Sequence, residues 1–124
     1  MNKIISTDKA PKAIGPYSQG YLCGNTLYCS GQIAINPETN VFIDGGIEEQ
    51  TNLILKNIGC LLEATGFSFE DVVKTTCFLA DMNDFALFNS LYEKAFISKP
   101  ARSCVAVKEL PKGALVEIEV IAVK

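Results

Sequence analysis

Pro100 to Val123 reads P-A-R-S-C-V-A-V-K-E-L-P-K-G-A-L-V-E-I-E-V-I-A-V, and how this stretch divides decides the fold. Two apolar runs flank Leu110-Pro111-Lys112-Gly113, a composition suited to a tight turn. The runs are expected to be two strands, joined closely enough to make a hairpin. Strand alternation splits each run into two faces. In the first, Arg102 shares a face with Cys104 and Ala106, while Ser103, Val105 and Val107 point the other way. In the second, Val116, Ile118, Val120 and Ala122 form one face, and Leu115, Ile121 and Val123 share the other with Glu117 and Glu119. Charges in such runs are expensive to bury unless they are paired or used. Arg102, Glu117 and Glu119 are therefore the residues that need explaining.

Upstream, the pattern alternates between strands and helices. Lys3 to Ser6 is a short strand candidate, and Pro11, Gly15 and Pro16 mark an ordered loop after it. Gly24-Asn25 separates two apolar, aromatic-rich runs at the spacing of a two-residue hairpin turn. Asn36-Pro37 and Thr39-Asn40 mark a turn-rich connection. Ile47 to Thr65 carries helical periodicity, with Ile47, Thr51, Ile54, Ile58, Leu61 and Leu62 on one stripe and Gly66 as its stop. Ser68 to Asp71 resembles a capped single turn before an alternating strand, Val72 to Leu79. A second helix, capped by Asp81 or Asn83, runs to Phe96 with Phe85, Phe88, Tyr92 and Phe96 at helical spacing. That aromatic stripe reads as a core face, and Asn89 lies off it.

The order strand, hairpin, helix, strand, helix, hairpin predicts an α+β fold in one domain, residues 1–124, with two helices on one face of a mixed sheet. Two helices hide only one face. The apolar residues on the other face of the last strand need a second cover, which self-association supplies.

Composition narrows the chemistry. The chain has 124 residues, a net charge of -3 and no histidine, and an isoelectric point near 4.9. No basic run longer than one residue is present, so the footprint of a nucleic-acid backbone binder is missing. Histidine-based triads and H-E-x-x-H metal sites are impossible. No G-x-G-x-x-G or Walker loop points to a nucleotide cofactor. The five cysteines contain no C-x-x-C and read as reduced core residues, which makes the cytoplasm the default compartment. Neither a signal peptide nor a membrane-spanning run is expected.

Arg102, rising from an apolar strand, suits a bidentate clamp on a planar carboxylate. The alternative is a structural ion pair with Glu117 or Glu119. Either glutamate suits a general base or a water holder, and their equal parity leaves the choice open. A like-charged neighbour and partial burial would raise the pKa of such a carboxylate. Cys104 has no histidine to activate it as a nucleophile. Tyr17, Ser30 and Gly31 offer small polar groups beside glycine, equally at home around a ligand or in a turn.

Several segments together resemble the reactive intermediate/imine deaminase family. They are G-P-Y-S-Q at 15–19, S-G-Q-I at 30–33, K-T-T-C-F-L at 74–79, D-F-x-x-x-N-x-x-Y at 84–92, P-A-R-S at 100–103 and L-P-x-G-A-x-V-E-I-E at 110–119. Their order and spacing cover nearly the whole chain. The resemblance implies a chorismate-mutase-like α+β fold, a homotrimer with clefts between subunits, and hydrolysis of small 2-imino acids without metal or organic cofactor. By matched motif, Arg102 would bind the substrate carboxylate and Glu117 would position water. Cys104 would act mainly through its backbone, and Tyr17, Ser30, Gly31 and Asn89 would line the pocket. Cys77 stands where the family often has valine. The competing readings are a non-catalytic binder of small carboxylic acids, a ribonuclease or translation inhibitor, and a chaperone.

Overall fold

The computed structural model describes residues 2–124. Its strands are β1 (Asn2–Ile5), β2 (Gly20–Cys23), β3 (Thr26–Gln32), β4 (Ile35–Asn36), β5 (Val41–Phe42), β6 (Val72–Leu79), β7 (Ala101–Ala106) and β8 (Val116–Val123). The helices are α1 (Ile47–Ala64) and α2 (Phe85–Ala95), with single 3-10 turns before β6, α2 and β8. Six strands form a mixed sheet in the order β1-β2-β3-β8-β6-β7, and β4 pairs only with β5. Every pairing in the large sheet is antiparallel except β6 with β7. The expected mixed α+β sheet is what the chain forms.

Local signals account for most elements. Cys23 pairs with Thr26 across Gly24-Asn25, and Gly24 takes a φ of 60°, a conformation that a side chain would strain. In α1 the Glu49 carboxylate accepts the Gly46 N–H at 2.6 Å, satisfying an otherwise orphaned donor at the helix start. Gly66 ends the helix with a φ of 83°. Asp81 accepts the Asn83 N–H at 2.9 Å ahead of α2. Ile54, Ile58, Leu61 and Leu62 of α1, Phe88 of α2, and Val116, Ile118 and Ala122 of β8 are fully buried in one core between helices and sheet.

One expectation fails. β7 and β8 are not a hairpin, because β6 lies between them. The eleven residues of α2 carry the chain back so that β7 joins β6 in parallel, as a strand–helix–strand crossover does. Residues 107–115 then pass over the end of β6. Val107 N–H donates to the Leu79 carbonyl and Ala80 N–H to the Leu115 carbonyl, each at 2.9 Å. β8 runs antiparallel along the far side of β6 and closes the sheet onto β3.

The strand registers sort the sheet into two faces. Cys29, Val120, Thr75 and Arg102 follow one another across four strands on the face toward the helices. On the opposite face, Ile4, Tyr21, Tyr28 and Ile121 make a ladder over β1, β2, β3 and β8. Ile4, Tyr21 and Tyr28 are 59%, 41% and 47% exposed, so the second face is apolar and uncovered in one chain.

Candidate active site

The strand pairing settles the alternative reading of Arg102. Its register partner on β6 is Thr75, on the helix-covered face. Glu117 sits opposite Phe78, which pairs in turn with Val105, on the open face. Strand spacing and rise put the α-carbons of Arg102 and Glu117 about 14 Å apart. A structural ion pair between Arg102 and Glu117 or Glu119 within one chain is therefore overturned. Equal alternation within each strand says nothing about which faces two different strands share.

Arg102 is half-buried on the edge strand and held from the side by α2. Its Nη1 donates to Asn89 Oδ1 at 2.7 Å. The guanidinium carbon lies 4.7 Å from the centre of the Tyr92 ring and 5.5 Å from that of Phe85, close enough for cation–π attraction. Tyr92 is itself fixed, because its hydroxyl shares a 2.6 Å hydrogen bond with Thr75 Oγ1 inside the core. Burial pushes the Tyr92 phenol upward in pKa, opposed by that hydrogen bond, so it remains a neutral platform. Among the described residues Arg102 has no ion-pair partner. It borders a cleft of about 620 Å³ with Asn89, Glu93, Lys99 and Pro100.

Glu117 belongs to a second cleft of about 540 Å³, with Tyr17, Ser30, Gly31, Ile33, Pro111 and Lys112. A bulge in β3 forms its floor: between the pairs Cys29–Val120 and Gln32–Ile118, Ser30 and Gly31 face only Glu119. The Glu117 carboxylate lies against Gly31 so closely that a β-carbon there would collide with it, its carboxyl carbon being 2.9 Å away. Ser30 is held by its Oγ donating to the Ser18 carbonyl at 2.5 Å and its N–H donating to the Gln19 carbonyl at 3.0 Å. Gln19, almost fully buried, ties the preceding loop down by donating to the carbonyls of Thr7, Ala10 and Pro11. Tyr17, 54% exposed, is loosely held, with Ile14 N–H donating to its hydroxyl at 3.4 Å.

The two glutamates, equivalent in the sequence, differ here: Glu117 is half-buried in the cleft and Glu119 is exposed. Burial first, and the Glu119 charge second, raise the Glu117 pKa above the ordinary carboxylate value. Cys104 is half-buried beside Cys77. Burial raises its thiol pKa against the opposing pull of Arg102, which disfavours the thiolate a nucleophile requires.

The structure thus brings Arg102 to Asn89, and Tyr17 to Ser30, Gly31 and Glu117, but in separate clefts. Sequence reasoning missed Tyr92 and Phe85 as the platform under Arg102, since aromatics at helical spacing look like core. It also missed Gln19, whose burial no local pattern announces.

A family model described as Endoribonuclease L-PSP matches residues 7–124. The chain belongs to that family. A RutC family protein of Pyrococcus horikoshii is 51% identical over 125 residues, covering 100% of this chain and 99% of the relative. The 2-iminobutanoate/2-iminopropanoate deaminase of Mus musculus is 49% identical over 125 residues, covering 100% of this chain and 93% of the relative. E. coli TdcF, solved with bound serine, superposes with a TM-score of 0.92 at 43% identity and covers 98% of each chain. The imine deaminase resemblance carried by the sequence motifs is borne out as family membership.

Proposed function

We propose that this protein is an imine deaminase. It hydrolyses small 2-imino acids and their 2-enamino tautomers, such as 2-aminoacrylate, to 2-keto acids and ammonia, in a cleft between subunits of a cytoplasmic homotrimer. The observation that carries this reading is an arginine held by an amide and two aromatic rings, with no carboxylate paired to it among the described residues. A fixed guanidinium with donors to spare is what a carboxylate ligand needs.

Arg102 and Glu117 serve one reaction if the Arg102 edge of one subunit meets the Glu117 cleft of the next. The uncovered ladder of Ile4, Tyr21, Tyr28 and Ile121 supports such an assembly. In the joined site Arg102 grips the substrate carboxylate, with Asn89 setting its direction. Tyr17 and Ser30 line the opposite wall, and Gly31 leaves room for the Glu117 carboxylate. The Cys104 backbone lies near the imine nitrogen.

The chemistry needs no strong nucleophile. An enamine takes a proton at C3 and becomes an iminium. Water then adds to C2 while one of its protons passes to Glu117, giving a tetrahedral amino alcohol. Glu117 returns the proton to nitrogen; as the C–N bond breaks, the hydroxyl gives its own proton back to Glu117, and ammonia leaves behind the 2-keto acid. A carboxylate with a raised pKa is better matched to both proton transfers than an ordinary one.

The test is to present the protein with freshly generated 2-aminoacrylate and follow pyruvate and ammonia. Acceleration over the uncatalysed reaction is expected, with sharp loss in Arg102→Ala at unchanged assembly size. Binding of 2-keto acids without turnover would make the protein a carboxylic-acid binder. Cleavage of RNA that copurifies with the protein and vanishes in Arg102→Ala would assign it a nuclease role.

A further inference from the structure

Cys77 and Cys104 are direct register partners on the parallel pair β6–β7, and both point toward the helices. No other two cysteines are paired across strands, and all five are free thiols. We propose that Cys77 and Cys104 form a reversible redox site, closing to an intramolecular disulfide when a small disulfide such as oxidised glutathione reaches Cys104.

The geometry permits the bond and makes it labile. Neighbouring strands lie about 4.8 Å apart, within the about 4.4–6.8 Å of α-carbon separation that disulfides span. Register partners on neighbouring strands start about one strand spacing, about 4.8 Å, apart, wider than the about 3.8 Å usual between the β-carbons of a disulfide. Closing the bond must pull the strands inward, and strained disulfides are the easily reduced ones.

Accessibility gives the two thiols different roles. Cys77 is fully buried, whereas Cys104 is half-buried two residues from Arg102 on the cleft-edge strand. Cys104 is therefore the sulfur that meets the oxidant. Its thiolate attacks one sulfur of oxidised glutathione, forming a mixed disulfide and releasing one glutathione as the thiol after protonation. The Cys77 sulfur, losing its proton, then attacks Cys104 Sγ and expels the second glutathione. Two protein thiols are oxidised to one disulfide and one oxidised glutathione is reduced to two thiols, so electrons and protons balance. Burial pushes the Cys77 thiol up to about 12 and raises that of Cys104, so closure is slow at neutral pH and quickens as pH rises.

The experiment treats the whole folded protein with oxidised glutathione at mildly alkaline pH and reads mass, thiol count and tryptic map. The expected result is two fewer titratable thiols than the original five and an intact mass lower by two hydrogen atoms. Tryptic peptides 75–94 and 103–108 are joined until dithiothreitol parts them. Cys77→Val stops at one glutathione on Cys104. Wild-type protein that also stops there, bridges a different pair, or links Cys77 to Cys104 only after its helical circular dichroism has been lost would overturn the proposal. None of these readouts involves imine turnover.

Discussion

The Arg102 cleft and the Glu117 cleft are built on opposite principles. Around Arg102, the sheet supplies the charge and α2 supplies its restraint: an amide at 2.7 Å and two ring faces, one pinned to the core through Thr75. Around Glu117, no ion pair among the described residues restrains the acid. It is positioned by space, because a bulged strand with a glycine lets the carboxylate settle against backbone. A cation held by attraction tolerates loss of one partner. An acid held by fit does not tolerate an added atom. The two halves should therefore respond to different kinds of substitution.

The largest effects are expected where the halves must meet. Arg102→Ala should lower kcat/KM for 2-aminoacrylate by about 10²–10⁴-fold, the loss of two hydrogen bonds to a charged group. Glu117→Ala should abolish most turnover by a different route, through kcat. Equal mixtures of the two inactive variants, unfolded and refolded together, should recover about a quarter of wild-type activity if each site draws one residue from each of two subunits. No recovery would place the site within one chain.

Gly31→Ala should come next, with kcat falling about 10–10²-fold as the carboxylate is displaced, while circular dichroism and melting change little. Asn89→Ala should raise KM about tenfold, the loss of one charge-assisted hydrogen bond holding Arg102, and leave kcat near wild type. Tyr92→Phe should mainly cost stability, about 1–3 kcal/mol, because the buried Thr75 hydroxyl is left without its partner; a thermal melt reads this.

The smallest effect sharpens the electrostatics. A base with a raised pKa places the acid limb of the pH–kcat profile above the ordinary carboxylate range. Glu119→Gln removes the secondary cause of that rise, so the limb should move to lower pH without disappearing. A shift toward higher pH would contradict the assignment of Glu117 as the titrating group.

Much of the fold was legible because its signals are local. Gly24-Asn25, the α1 stripe closed by Gly66, and the alternation of Val72 to Leu79 each state their structure within a few residues. The relation of β7 to β8 was not legible. A turn-like sequence between two apolar runs is the signature of a hairpin, and only the crossover through α2, a long-range event, puts β6 between them. The candidate site divides the same way. Arg102 and Glu117 stood out as charges in apolar strands, but their placement on opposite faces depends on pairing. Burial, which parity cannot report, distinguished Glu117 from Glu119. The match between Gly31 and the Glu117 carboxylate joins residues far apart in sequence, and Tyr92 hid its role among core aromatics.

Among the described residues, β8 is the only strand that bridges β3 and β6. During synthesis, β1 to β3 and the β6–α2–β7 unit therefore each keep an open sheet edge, linked only through helix packing. The sheet becomes one body only when residues 116–123 emerge and slot between them. Folding of this chain is thus expected to be gated by β8, and a translational stall shortly before Val116 should yield aggregation-prone nascent protein instead of a partly working fold.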